Sequence, residues 1–358
     1  MNAYLIRDYA AFDELENDWD RLAKPRRNPL IEFNWFRACA HELHSEQDLN
    51  VVAITEPSGE ICGIAPLVKT RRQNSPWLEI LGASTLFEPA GLLYRDVDAL
   101  FTLYRLLERQ KYSVLLNRLW ETREENGILT QSPRLSGLWI KRSCRGSAIL
   151  DIKSDWSDFF ASLSSQRRYD YRRAVRRTGA FGGERYTVIK PTLETLDQLL
   201  DTAFSIEENS WKGKQGSSIR SKPRLQSFLQ RYARSSAESG QLRLFFLHLG
   251  DSPAAMAIAI HYAGALWFIK IGYDENFRKC SPGMLLMMYA LKHSFDQGLS
   301  KVEFLGSYET WLSIWTSNIR AYSVLLHYPF NVRGIRTFSG DLIKSTRLRV
   351  LLTGQKNS

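Results

Sequence analysis

The spacing of apolar positions divides the chain into two stretches of alternating short strands and amphipathic helices. In the first 150 residues it predicts strands at 3–8, 50–55, 61–69, 77–81 and 112–117, and helices at 12–22, 31–43 and 97–109. The turn Pro57-Ser58-Gly59-Glu60 separates two of the strands, and a loop is expected around Glu88-Pro89-Ala90-Gly91. The polar segment 121–134 closes this half, and a boundary is expected near Leu150.

The second half has longer elements. A strand is predicted at 148–152, then helices at 156–163, 166–178, 193–209 and 223–238. Three apolar runs at 242–249, 254–262 and 266–273 follow, bounded by Gly250-Asp251 and Ala263-Gly264, and these predict an antiparallel meander. A helix at 284–297 and a strand at 301–305 complete the pattern, leaving 331–358 as a basic tail.

Composition narrows the class. A chain of 358 residues with 44% hydrophobic and 24% charged positions is globular, and its length suits about two domains at roughly 150 residues each. The formal charge of +10 is concentrated in residues 165–178, with six arginines against Asp170, and in residues 331–358, with six basic residues against Asp341. Two local patches argue against a generally nucleic-acid-binding surface. The four cysteines are far apart and lack zinc-ribbon or disulfide spacing, and His41-Glu42-Leu43-His44 is one residue short of a zincin motif, so no metal is expected. The first residues lack the basic-then-apolar layout of a secretory signal, which predicts a cytoplasmic protein.

Candidate chemistry gathers between the meander and the last predicted strand. Glu275-Asn276-Phe277-Arg278-Lys279-Cys280-Ser281-Pro282-Gly283 leads into a helix, with Ser281 suited to the N-cap, Pro282 to the first turn and Gly283 to close approach of a ligand. The free amides there, with Met284 and the charges of Arg278 and Lys279, suit a pyrophosphate. The same tripeptide also serves simply to start a helix.

The order of these segments resembles the GNAT superfamily, and within it the CelD-type acetyltransferases of cellulose and exopolysaccharide biosynthesis, which are related to the FemAB aminoacyltransferases. The resemblance runs from Trp19 to about Tyr328. It rests on Phe33-Asn34-Trp35-Phe36, Gly63-Ile64-Ala65-Pro66-Leu67, the helix between Ser164 and Arg177, Gly272-Tyr273-Asp274, Ser281-Pro282-Gly283 and Glu303-Phe304-Leu305. It implies an α/β (α+β) fold of tandem GNAT-like domains, each a mixed, mainly antiparallel sheet flanked by helices. Residues 1–150 would form a domain without cofactor and residues 151–330 the acyltransferase domain. Acetyl-CoA or another acyl-CoA would lie against Ile271, Gly272, Tyr273, Arg278, Lys279 and Ser281 to Met284. Where the family pattern is D-F-x-x-G-x-E-x-Y-K, this chain has its glycine one place early, at Gly306, and Leu312 in place of the lysine.

Acyl transfer to an amine needs a base, an oxyanion donor and an acid for the leaving thiolate. Glu309 and then Glu303 are the candidate bases, on the argument that partial burial raises a carboxyl pKa, and Tyr308 and Tyr273 are candidate acids. Each also reads as a capping, solvated or packed side chain. A small-molecule or glycan acceptor would meet Glu208, Trp211 and Lys212 at a helix end, and Arg168 and Arg172 on the arginine-rich helix suit an anionic partner, tRNA under the aminoacyl alternative. The apolar and basic residues of the tail are compatible with peripheral contact at the inner membrane face.

Overall fold

The computed structural model describes residues 1–72, 74–120 and 136–354, and of Lys212 and residues 344–354 the backbone path only. The polar segment expected at 121–134 therefore lies outside the described residues. Fourteen strands are described: β1 Asn2–Ile6, β2 Val51–Thr55, β3 Ile61–Ala65, β4 Leu67–Arg72, β5 Ser75–Ile80, β6 Leu93–Tyr94, β7 Ser113–Trp120, β8 Gly137–Asp151, β9 Glu184–Ile189, β10 Leu242–Leu249, β11 Ser252–Tyr262, β12 Ala265–Tyr273, β13 Lys301–Glu303 and β14 Ile319–Pro329. They form a four-stranded sheet in the order β1-β2-β3-β6 and a ten-stranded sheet in the order β4-β5-β7-β14-β8-β13-β12-β11-β10-β9.

Each half contains the same crossover. In the first, β5 connects through the helix Val97–Glu108 to β7, which pairs with β5 in parallel. In the second, β12 connects through the helix Pro282–Asp296 to β13, again in parallel. Short parallel strands need such a helical crossover, whereas the β10-β11-β12 meander turns tightly through Gly250 and through Ala263-Gly264.

Apolar periodicity gives each helix its buried side. In the helix Leu193–Glu208, the residues Leu196, Leu200, Ala203, Phe204 and Glu207 are buried at three- and four-residue spacing, and they press on β11 and β12. The crossover helix Pro282–Asp296 buries Leu285, Leu286, Met288 and Leu291 in a core with Phe245 and Phe268 from the opposite face of the meander. One face of the meander therefore packs against the helices Leu193–Glu208 and Pro223–Glu238, the latter of which meets the helix Phe33–Ala38 of the first half, and the other face packs against the crossover helix.

The halves are also woven together. β14 pairs antiparallel with β7 of the first half and, on its other side, with β8. The end of β8 leaves β14 to pair with β13. Each half's parallel strand is thus flanked by a strand from the other half of the sequence.

Several expectations change in detail. The strand at 61–69 is two strands, because Pro66 breaks it and sends β3 and β4 into different sheets. The strand at 148–152 is the end of the fifteen-residue β8, while β9 and β14 were not anticipated. Helix 31–43 divides into a 3-10 turn, the α-helix Phe33–Ala38 and a π-helical turn Cys39–Leu43. The tail forms a helix, Val332–Gly354, with Val332, Ile335, Leu342 and Ile343 exposed. Among the described residues no helix is long and apolar enough to cross a membrane.

Candidate functional site

β12 and β13 pair over three residues only, Ala265 with Lys301 through Trp267 with Glu303. Beyond that point β12 stays with β11 as far as Tyr273, and a bulge leaves Ile269 without a register partner. A bulge kinks and twists the strand that carries it, here just where β12 parts from β13. The space between the diverging chains is a 590 Å³ cleft, lined on one side by Ile271, Gly272 and Tyr273 and on the other by Phe304 to Ser307.

Gly283 and Met284 close one end of the cleft. Pro282 lacks an N–H, and the first amide to find an acceptor is Leu285, which donates to the Ser281 carbonyl at 3.1 Å. The amides of Gly283 and Met284 have no partner among the described residues. Ser281 occupies the N-cap position but in the left-handed region, at φ 51°, and its side chain makes no capping bond. The expected capping role is therefore not realised, because that backbone turns the hydroxyl away from the helix end.

Two glycines set the width of the cleft. A Cβ on Gly283 would come within 3.3 Å of the Tyr273 ring, so Gly283 is where the helix end and β12 approach most closely. A Cβ on Gly272 would lie 3.0 Å from Cγ of Glu207, a fully buried carboxylate whose Oε2 accepts from the Ile219 amide at 2.8 Å. That bond fixes the end of the helix Leu193–Glu208 directly over β12.

The remaining wall is apolar. The 3-10 helix Thr310–Ile314 presents Trp311, Leu312 and Ile314, followed by Trp315, and Phe304 and Leu305 are buried beside them. Leu312, which stands in place of the family lysine, is buried in this wall. The polar side chains at the cleft are Ser210, Tyr273, Ser307 and Glu309, beside the indoles of Trp211, Trp311 and Trp315.

Of the expected site residues, the structure brings Ile271, Gly272, Tyr273, Gly283, Met284, Glu309 and Trp211 together at the cleft. Glu309 is exposed at its rim, where partial burial was expected from sequence. Glu303 is buried on the opposite face of β13, with Oε1 held at 2.5 Å by Arg320. Burial pushes its carboxyl up, and Arg320 partly offsets that.

The others lie outside the lining. Tyr308 is half-buried against the second core, with its amide donating to the Gly146 carbonyl at 2.7 Å. Arg278 and Lys279 are exposed on the 3-10 helix Glu275–Cys280, and Pro282 is buried behind Gly283. Glu208 pairs with Arg220 at 3.0 Å. Arg168 turns back to donate to the Ala161 carbonyl at 2.5 Å and to that of Leu163, capping the preceding helix. Arg172 is exposed, and the side chain of Lys212 lies outside the described residues.

Sequence reasoning missed a clamp on the cleft from the first half. Arg118 is fully buried and donates to the carbonyls of Arg145 at 2.9 Å and Gly306 at 2.5 Å and to Ser147 Oγ at 2.9 Å. The Gly306 amide donates to Glu88 Oε2 at 2.9 Å, and burial pushes the Glu88 carboxyl up to about 7 against the pull of that amide, Arg118 and Lys270. Leu305 and Gly306 are both left-handed, so the loop that forms one cleft wall is held at both peptide ends by the other half. Glu88 was legible only as a loop residue before a proline.

Residues 165–312 match a family model described as an acetyltransferase (GNAT) domain, a stretch that spans the arginine-rich helix, the meander and the cleft lining apart from Ile314 and Trp315. Among solved structures, the C-terminal domain of a protein assigned as a lysylphosphatidylglycerol synthetase from Agrobacterium fabrum is similar with a TM-score of 0.57 at 8% identity, covering 94% of this chain and 97% of that one. FemX is similar with a TM-score of 0.56 at 13% identity, over 92% and 98% of the two chains. L-PGS from Bacillus licheniformis has a TM-score of 0.51 at 10% identity, over 89% and 91%. No curated protein sequence matches. At these identities the likeness is one of fold, and the fold is the expected α/β arrangement of mixed sheets flanked by helices, within which residues 165–312 carry the match to the GNAT domain.

Proposed function

We propose that the chain is an acyl-CoA-dependent acyltransferase whose thioester arm runs through the cleft between β12 and β13. The observation that carries this reading is the open wedge itself: two parallel strands part beside a helix end with two unpaired amides, lined by apolar side chains. A pantetheine arm is thin, flexible and mostly apolar, and its diphosphate suits the amides of Gly283 and Met284 at the positive helix end.

The chemistry follows from that placement. A backbone amide of β12 between Lys270 and Tyr273 stabilises the oxyanion, and Tyr273, which lines the cleft, protonates the departing thiolate. Glu309 at the rim takes the proton from the attacking amine or hydroxyl, directly or through water. The acceptor enters past Trp211, and a small-molecule or glycan acceptor of cell-envelope or exopolysaccharide chemistry fits this reading. The site then works in the cytoplasm, with the exposed apolar residues of the helix Val332–Gly354 and Arg333 and Arg336 resting on anionic lipid. Calorimetry with acetyl-CoA tests the donor site: the parent protein binds, and the Gly283→Trp variant does not. Equal affinity of the two proteins would remove the cleft from the reading.

A second reading has its own observation. Arg172 and Arg176 are exposed without a partner among the described residues, and Arg177 donates at 2.9 Å to the Lys279 carbonyl, setting this helix beside the loop that leads into the cleft. A charged tRNA is then the donor, as in FemAB-type transferases. Filter retention of aminoacyl-tRNA that weakens with salt and is lost in Arg172→Glu/Arg176→Glu supports it, and acyl-CoA turnover with no tRNA retention excludes it.

A further inference from the structure

On the opposite face of β13 lies a second pocket, of about 310 Å³, which the acyl-transfer reading does not use. Trp267 and Glu303 are register partners across β12 and β13 and so share this face. Trp120 at the end of β7 and Arg320 on β14 complete the cluster, and Lys301 and Arg27 stand among the other lining residues. The two indoles are nearly parallel, with ring centroids 6.5 Å apart, and the Arg320 guanidinium lies 4.5 Å from the centroid of Trp120.

The polar inventory of this pocket is unbalanced. Trp267 and Glu303 are 3% and 1% exposed. Glu303 uses Oε1 for Arg320, and its Oε2 has no partner among the described residues. Nε1 of Trp120, Nε1 of Trp267 and Nε of Arg320 are likewise buried and without a partner among the described residues. Buried polar atoms are nearly always hydrogen-bonded, so four orphans on four residues of one pocket make a concentrated exception. A structural ion pair between β13 and β14 accounts for Glu303 Oε1 and one guanidinium nitrogen, and for none of the four.

We propose that this pocket binds an anionic monosaccharide, a sugar phosphate or a sugar acid. Three unused N–H donors and the cations Arg26, Arg27, Lys301 and Arg320 against the single carboxylate Glu303 call for a negatively charged group. Glu303 Oε2 calls for a hydroxyl that donates to it. The indole faces suit the C–H face of a pyranose, and the volume suits one ring. A purely inorganic anion would leave Glu303 Oε2 unused, and a neutral sugar would leave the cations unanswered. The site is independent of the donor cleft, from which β13 separates it.

Calorimetry on the full chain with glucose 1-phosphate, glucuronate, glucose and inorganic phosphate tests the proposal. The two anionic sugars are expected to bind at least ~10-fold more tightly than glucose or phosphate. Trp120→Phe and Trp267→Phe, which keep a ring and remove the N–H, should each weaken them by about 5-fold or more. Lys301→Ala at the half-exposed rim gives a readout if either aromatic variant fails to fold. Gly283→Trp should leave sugar binding unchanged, so failure of the donor-site reading and failure of this one are distinguishable. No preference for the anionic sugars, or binding lost in Gly283→Trp and kept in Lys301→Ala and in whichever tryptophan variants fold, overturns it.

Discussion

The two crossovers share a plan and differ in what occupies the wedge. In the first half β5 and β7 pair over three residues, Trp77 with Ser113 to Glu79 with Leu115, as β12 and β13 do in the second. There the protein fills the gap with its own chain: Ala90 forms a parallel bridge to Leu119, and residues 81–92 lie against the strands with Leu81, Ala83 and Leu92 buried. The crossover helix of that half is also sealed, since Asp96 accepts from the Ala99 amide at 2.9 Å. The second half leaves both the wedge and the helix end open. The same topology is thus a structural block in one place and a receptive cleft in the other, depending on whether a loop or a capping side chain satisfies the exposed backbone.

Changing either half should sharpen that contrast. The largest effect is expected where the halves are tied. Arg118→Ala takes the guanidinium donor from the Arg145 carbonyl and from Ser147 Oγ, leaves the Gly306 carbonyl with only its bond from Ser147 Oγ, and empties a fully buried position, which should cost about 3–5 kcal/mol in urea denaturation. Next, Gly283→Trp fills the open cleft and should weaken acetyl-CoA by at least ~100-fold, about 2.7 kcal/mol, whereas Val97→Trp at the exposed start of the sealed helix leaves binding unchanged by calorimetry.

A smaller effect depends on pH. The folded Glu88 carboxyl titrates at about 7, above its ordinary 4.5, so its neutral form favours folding. The stability this gives is complete below about 4.5 and is lost as pH rises through about 7. Glu88→Gln should therefore gain on the parent across that window by on the order of 2 kcal/mol and hold level above it, as read from denaturation midpoints at several pH values. The smallest change is Asp96→Ala, which removes the cap of the sealed helix for about 1 kcal/mol and leaves the donor cleft unaffected. A loss of acetyl-CoA binding in Asp96→Ala would show that the halves are not separable in function.

Much of the second half was legible because its signals are local. The meander is announced by apolar runs and tight turns, and the cleft helix by a proline followed by glycine, while the meeting of Ile271 to Tyr273 with Gly283 and Met284 was implied only by the resemblance in the order of these segments. What stayed hidden depends on partners distant in sequence. β14 is not among the strands predicted from the sequence, and no periodicity reports that His327 will lie opposite Val114 on one side and Trp139 on the other. The clamp on Gly306 joins residues 188 and 218 positions away, and Arg118 gives no sign in sequence of being buried. Ser281 failed as a cap for a related reason: residue preference suggests a cap, while the approach of the preceding 3-10 helix decides the backbone angle.

The exchanged strands also set a timetable for biosynthesis. The strands of the first half leave the ribosome first, yet β7 gains its antiparallel neighbour only when Ile319–Pro329 has been made. Until then Leu116 and Leu119 border an unpaired edge in the nascent polypeptide, so the first half must wait, exposed to chaperones, through the synthesis of about two hundred further residues.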